Sequence, residues 1–225
     1  TYGTRLAERL SAAGISVHHF PFMNRPITER EKATPFHLLA GGAVPVHSKA
    51  DGMVAALDAL GVILMRTLED ASHTNRVIGT CLGMQMIAAC LASPAIVIEP
   101  STPINVGMEP VYGIAPGDPI PMAMFHYHRV DAAFADDPRL DAVFHTADNP
   151  MAGFRINNRI IAYQGHPELS PQDMGGLLAH NQTMIEAHGV TRATAQHQID
   201  RGGDGWAVSF ADQLLTAPFS ESRPA

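Results

Sequence analysis

The sequence predicts an α/β domain with a largely parallel sheet and a small antiparallel patch. Three observations carry this. Short apolar runs alternate with helix-period segments up to residue 92, the pattern of βαβ units. From Ser93 to Pro121 the texture changes to proline, glycine and short β-branched runs. Neither an internal repeat nor a linker long enough to split the 225 residues is visible, so one domain is expected.

The elements follow in order. Leu6 and Leu10 share a helix face and Gly14 is a suitable stop, after which Ile15 to Phe20 alternates like a strand ended by Pro21. Phe36 to Ala40 reads as a short buried strand halted by Gly41-Gly42. Gly52 to Leu68 is a helix with Met53, Leu57, Leu60 and Leu64 inward and Asp51 as N-cap. Arg76 to Gly79 is a further apolar run, and Met84 to Ala92 an apolar helix. Val97-Ile98, Asn105 to Ile114 and Pro121 to Val130 fit the antiparallel patch. Val143 to His145, Gly153 to Ile156 and Arg159 to Gln164 continue it, with Asn157-Asn158 a two-residue hairpin turn. Gly175 to His188 is helical, and Val208 to Leu215 is the one helix expected in the tail.

Composition excludes several classes. Hydrophobic residues make up 46% of the chain, enough for a substantial core and too many for disorder. Fifteen Lys+Arg against twenty-two Asp+Glu give a net charge of −7, and no basic run exceeds two residues, so no nucleic-acid partner is expected. The sequence shows no apolar stretch of the roughly 20 residues that span a membrane and no signal peptide, which predicts a cytoplasmic protein without a membrane partner. Two cysteines beside twelve histidines cannot form a disulfide framework. The question is whether Cys81 or Cys90 does chemistry.

Val77-Ile78-Gly79-Thr80-Cys81-Leu82-Gly83-Met84-Gln85 runs from an apolar strand through Gly-x-Cys-x-Gly into a helix. This is the pattern of a nucleophile elbow, in which a strained turn lifts a reactive side chain above the sheet edge. The flanking glycines are needed because a Cβ would clash with the neighbouring strand and helix. The Leu82 N–H at the helix start can face an oxyanion, and the helix dipole favours a thiolate. A bland alternative makes Cys81 a small buried residue in a tight turn. Cys90, nine residues on and out of phase, reads as packing.

A thiolate needs a base, and the base an orienter. Ile160 to Glu168 is a strand ending in His166-Pro167-Glu168, where extended geometry points His166 and Glu168 to the same side. Glu168 can then hold the His166 tautomer. Other constellations are weaker. His126-Tyr127-His128 puts two imidazoles on one strand face, but no nearby Cys, Asp or Glu completes a ligand set, so no metal or other cofactor is expected. His18-His19 reads as an edge strand, and Gly202-Gly203-Asp204-Gly205 as a turn rather than a phosphate loop. Met84, Met86, Met122 and Met124 are core or pocket fillers.

On these motifs the chain resembles the class I, triad-type glutamine amidotransferases. Gly79 to Gln85 resembles that family's Gly-x-Cys-x-Gly-x-Gln nucleophile motif, and Gln164 to Glu168 its Gln-Phe-His-Pro-Glu motif. Leu38 to Gly42 resembles the Leu-Ser-Gly-Gly strand end that supplies a second oxyanion donor. The similarity covers approximately residues 1–190, leaving 191–225 as a C-terminal extension packed on the same domain. It implies a three-layer flavodoxin-like fold, with Cys81, His166 and Glu168 catalytic and Leu82 and Gly42 at the oxyanion hole. Gly41, Gln85, Phe125, His126 and Tyr127 are implied to bind the substrate glutamine. His145 to Pro150 resembles the amidotransferase part of GMP synthase without assigning a pathway.

Three features depart from the family. Its first strand is missing, since Thr1 falls about where that strand ends; Gly165 replaces the aromatic before the triad histidine, which loosens the wall of the site; and Leu91-Ala92-Ser93-Pro94 replaces a Gly-Gly, with a tail that has no recognised counterpart. The expected reaction is hydrolysis of the glutamine side-chain amide through a thioester. With no phosphate loop and no room for a synthase domain, a partner synthase or synthetase subunit is implied, or a homo-oligomer. The alternatives are a stand-alone γ-glutamyl hydrolase with the same triad, or a catalytically silent binding protein. A peptidase-like relative shares the elbow but would not carry Gly83-Met84-Gln85.

Overall fold

A computed structural model describes residues 7–8, 11–12, 26–42, 45–49, 51–72, 74–99, 103–114 and 119–202. The expected strand at 15–20, the glycine turn beyond Gly202 and the helix at 208–215 lie outside them. A central sheet of five described strands has the order β1 (Phe36–Leu39), β2 (Arg76–Thr80), β9 (Ile160–Tyr163), β8 (Gly153–Ile156), β7 (Ala142–Phe144). β1, β2 and β9 pair in parallel, and β8 runs antiparallel to both β9 and β7. Two short pairs complete the strands: β3 (Val97–Ile98) with β6 (Arg129–Val130), and β4 (Asn105–Val111) with β5 (Ile120–His126).

Side-chain alternation on β9 explains the layers. Ile160 and Ala162 face one way, into a core shared with α2 (Asp51–Glu69) and α3 (Leu82–Leu91) through Met53, Leu60, Leu64, Met84, Met86 and Ile87. Ile161 and Tyr163 face the other way, against Met122 and Met124 of β5. The β4–β5 hairpin therefore forms a layer of its own. Its outer face, with Val106, Met108 and Ala123, packs under α4 (Pro171–His180), α5 (Gln182–Ala187) and α6 (Arg192–Gly202). The four methionines expected as fillers are all buried. Among the described residues no helix is long and apolar enough to cross a membrane.

Helix ends follow local chemistry. Thr28 caps α1 (Glu29–Lys32) in a reciprocal capping box with Glu31, and Ser170 does the same for α4 with Asp173. Asn157 and Asn158 both adopt positive φ, +50° and +54°, in the expected hairpin turn, but Ile156 pairs with Ile160, so the connection is three residues, Asn157 to Arg159, and not two.

Five expectations are corrected. β7, β8 and β9 join the main sheet instead of the small patch, because β9 is apolar on both faces and can be buried between β2 and β8. β1 is half-buried, not a buried strand: among the described residues it is one of the two edge strands of the sheet, with Phe36 exposed. Asp51 is the first residue of α2 rather than its cap. The helix expected over 175–188 is two helices, broken at Asn181, and the tail contains α6, which the pattern did not predict.

Candidate active site

Parallel pairing of β1, β2 and β9 puts their carboxyl ends on one edge of the sheet, where open α/β sheets bind ligands. Each end carries an expected site segment. Gly41-Gly42 follows β1, Cys81 follows β2, and His166 lies three residues beyond β9. Adjacent strands are only about 4.8 Å apart, so the three segments meet.

The turn at Cys81 is strained as an elbow must be. Cys81 has φ +52° and ψ −110°, a region avoided by residues with a side chain, at a cost of about 1–3 kcal/mol. Its neighbours make the turn possible. A Cβ on Gly79 would stand 2.8 Å from the Gly83 carbonyl carbon, and one on Gly83 would stand 2.2 Å from the Leu39 carbonyl oxygen. The Cys81 N–H donates to the Tyr163 carbonyl at 2.8 Å, tying the elbow to β9. Its thiol faces the Phe125 carbonyl at 3.9 Å.

His166 and Glu168 are wholly buried, and His166 Nδ1 lies 2.8 Å from Glu168 Oε1. Cys81 is a charge partner of the same ring. Burial alone would lower the imidazole's proton affinity; the Glu168 and Cys81 charges outweigh it and raise the His166 pKa to about 10. Gly41 lies over the pair: a Cβ there would meet His166 Cε1 at 2.6 Å and Cys81 Cβ at 3.5 Å.

The glycine in place of the family's aromatic has a steric reason. A Cβ on Gly165 would stand 2.7 Å from Met122 Cγ and Sδ and 2.8 Å from the Ala123 carbonyl oxygen. That carbonyl accepts the His166 N–H at 2.7 Å. The wall is thus not loosened, as Gly165 suggested, but closed by Met122 from the hairpin. The distant β5 has no motif to announce it, so this role was not legible.

The remaining expected residues gather around the same edge. Gly42 packs over Leu82, with 2.7 Å between its would-be Cβ and Leu82 Cδ2. Gln85 is buried, and its Nε2 donates to the His128 carbonyl at 2.9 Å, with Gln164 Oε1 at 3.5 Å. The same carbonyl meets His126 Nδ1 at 3.1 Å. His126 is buried, which pushes its pKa down to about 4; the hydrogen bond to His128 opposes this and the neighbouring His166 adds to it. Its Nε2 has no hydrogen-bond partner among the described residues. Tyr127 points elsewhere, its ring 4.5 Å from that of His188.

Cys90 behaves as packing. Its thiol donates to the Leu57 carbonyl at 3.3 Å, and burial, with Asp58 nearby, pushes its pKa up to about 12.

Comparison with known proteins identifies the fold and the family. No curated protein sequence matches the chain significantly. A glutamine amidotransferase from Thermotoga maritima shares the fold with a TM-score of 0.72 at 15% identity, over 96% of this chain and 90% of its own. One from Methylobacillus flagellatus does so with a TM-score of 0.73 at 12% identity, over 98% and 90%. A GMP-synthase-subunit-A-like protein from Thermoplasma acidophilum gives 0.56 at 17%, over 83% and 92%. The family model for class-I glutamine amidotransferases matches residues 1–185, a stretch that contains all three strand ends and the hairpin behind them. The chain belongs to the class-I glutamine amidotransferase family.

Proposed function

We propose that this protein hydrolyses the side-chain amide of glutamine to glutamate and ammonia through a thioester on Cys81. The observation that carries the reading is the buried His166–Glu168 contact of 2.8 Å beside a cysteine held at φ +52°. Such strain persists only where the surroundings enforce it, and it is a hallmark of nucleophiles.

The chemistry balances within these residues. His166 already holds the Cys81 proton as an imidazolium that Glu168 stabilises, and the Cys81 thiolate attacks the amide carbon. Backbone N–H groups at Leu82 and near Gly42 receive the oxyanion, each contributing about 3 kcal/mol if typical. The C–N bond then breaks as His166 returns its proton to the nitrogen, releasing ammonia. Water, deprotonated by His166, attacks the thioester carbon; sulfur leaves as the thiol and glutamate departs.

Phe125 and His126 would contact the substrate, His126 through its unpaired Nε2, while Gln85 serves as a positioning residue through the His128 carbonyl. Tyr127, packed on His188, would shape the rim. A partner synthase or synthetase would consume the ammonia; the likeness to a GMP-synthase-subunit-A-like protein fits one such partner. A reducing, cytoplasmic setting suits a free thiol nucleophile. Residues 191–225 are read as an extension of the 1–190 domain, since Ala195 and Ile199 of α6 pack with Val106 and Met108 of β4.

Ammonia release from glutamine tests this. Cys81→Ala should lose at least about 10⁴-fold in kcat with an unchanged melting temperature. Undiminished release from that variant overturns the assignment.

A further inference from the structure

A second cluster of chemistry-bearing side chains lies apart from Cys81, His166 and Glu168. His47, Glu99 and His128 come from three separate segments, after β1, after β3 and after β5. One ligand atom from each lies within 4.8 Å of the others. His128 Nε2 is already 3.1 Å from Glu99 Oε1, and the His47 and His128 rings are 5.2 Å apart. Ligands around a tetrahedral zinc ion are about 3.3 Å from one another, so the widest separation must close by no more than roughly 1.5 Å. His47 and Glu99 are exposed, which permits that movement and leaves solvent access for a fourth ligand.

We propose that His47, Glu99 and His128 form a binding site for a borderline divalent transition-metal ion of the Zn²⁺ class. Two imidazoles and one carboxylate with an open position are a donor set such ions favour. The backbone behind His128 is fixed, its carbonyl accepting from Gln85 Nε2 at 2.9 Å and meeting His126 Nδ1 at 3.1 Å. His128 is therefore a preset ligand, and His47 the mobile one that closes on it. Position gives the ion a consequence. His47 lies five residues beyond Gly42, and His128 three residues beyond Phe125, whose carbonyl faces the Cys81 thiol. An ion held between them lashes together the two segments that frame Cys81.

The experiment is zinc titration by calorimetry on tag-free protein in a Cys81→Ala background, which removes the site's own thiol. Co²⁺ visible absorption reports coordination geometry. One equivalent should bind, and His47→Ala, Glu99→Gln and His128→Ala should each weaken binding at least about tenfold. His145→Ala, at the exposed ring that stacks on Tyr112, should leave binding unchanged. Zinc at about a hundredfold excess over Kd should raise the melting temperature by roughly 5 °C, and the three ligand variants should lose most of that rise. No saturable binding, or binding equal in all variants, overturns the proposal. The outcome is independent of glutamine hydrolysis, because no ligand belongs to the proposed triad.

Discussion

A Cβ on Gly83 would stand 2.2 Å from the carbonyl oxygen of Leu39, so the first turn of α3 lies directly against the end of β1. This contact fixes the distance between the oxyanion segment and the elbow. Gly83→Ala must push the helix from the strand, costing about 3 kcal/mol. Gly176→Ala, on the exposed face of α4 with nothing within 4 Å, should instead stabilise by about 0.5–1 kcal/mol. Urea unfolding of the pair checks the contrast.

Gly165→Ala should lower both stability and activity. The added methyl meets the Ala123 carbonyl, a backbone atom, so Met122 alone cannot relieve it. Expected is a loss of about 1–3 kcal/mol in urea, with a fall in kcat because the same carbonyl holds the His166 N–H.

His166 should remain protonated well above neutrality. Its pKa is raised to about 10 against burial by Glu168 and Cys81, so Glu168→Gln and Cys81→Ala should each lower it. Histidine NMR titration reads this directly. A raised folded-state pKa also sets the sign of the stability effect. The contribution is full below about pH 6.5, declines as pH rises, and is gone near pH 10. An ordinary titration midpoint near 6.5 in the wild type would contradict it.

Gln85→Leu removes the donor to the His128 carbonyl. The carbonyl keeps His126 Nδ1 at 3.1 Å, so the loss should be about 0.5–1.5 kcal/mol, the worth of one hydrogen bond. The segment it anchors carries Phe125 and His126, so KM for glutamine should rise more than kcat falls. Steady-state kinetics separate the two.

Legibility in the sequence followed distance along the chain. Cys81 and its glycines were readable because strand, turn and helix are contiguous, and His166–Glu168 because the two residues are near neighbours, although they meet in a turn beyond β9 and not on the extended strand expected. What β5 does to His166 was not readable, since the contact joins segments with no shared pattern. β7 to β9 read as strands because they are short, largely apolar runs, but such a run does not say which sheet it joins. Among the described residues of α6 only Ala195 and Ile199 are buried, a stripe too narrow to stand out. The metal ligands were half visible: His128 was noticed, while His47 and Glu99 arrive only through folding.

Mapping of the cysteine modified by a glutamine-like diazoketone tests the central claim most directly. The reagent is attacked only by a thiolate positioned for the glutamine side chain. The account predicts one adduct per chain, on Cys81, suppressed by excess glutamine and absent in His166→Ala. An adduct on Cys90, or labelling of Cys81 that glutamine does not slow, would contradict it.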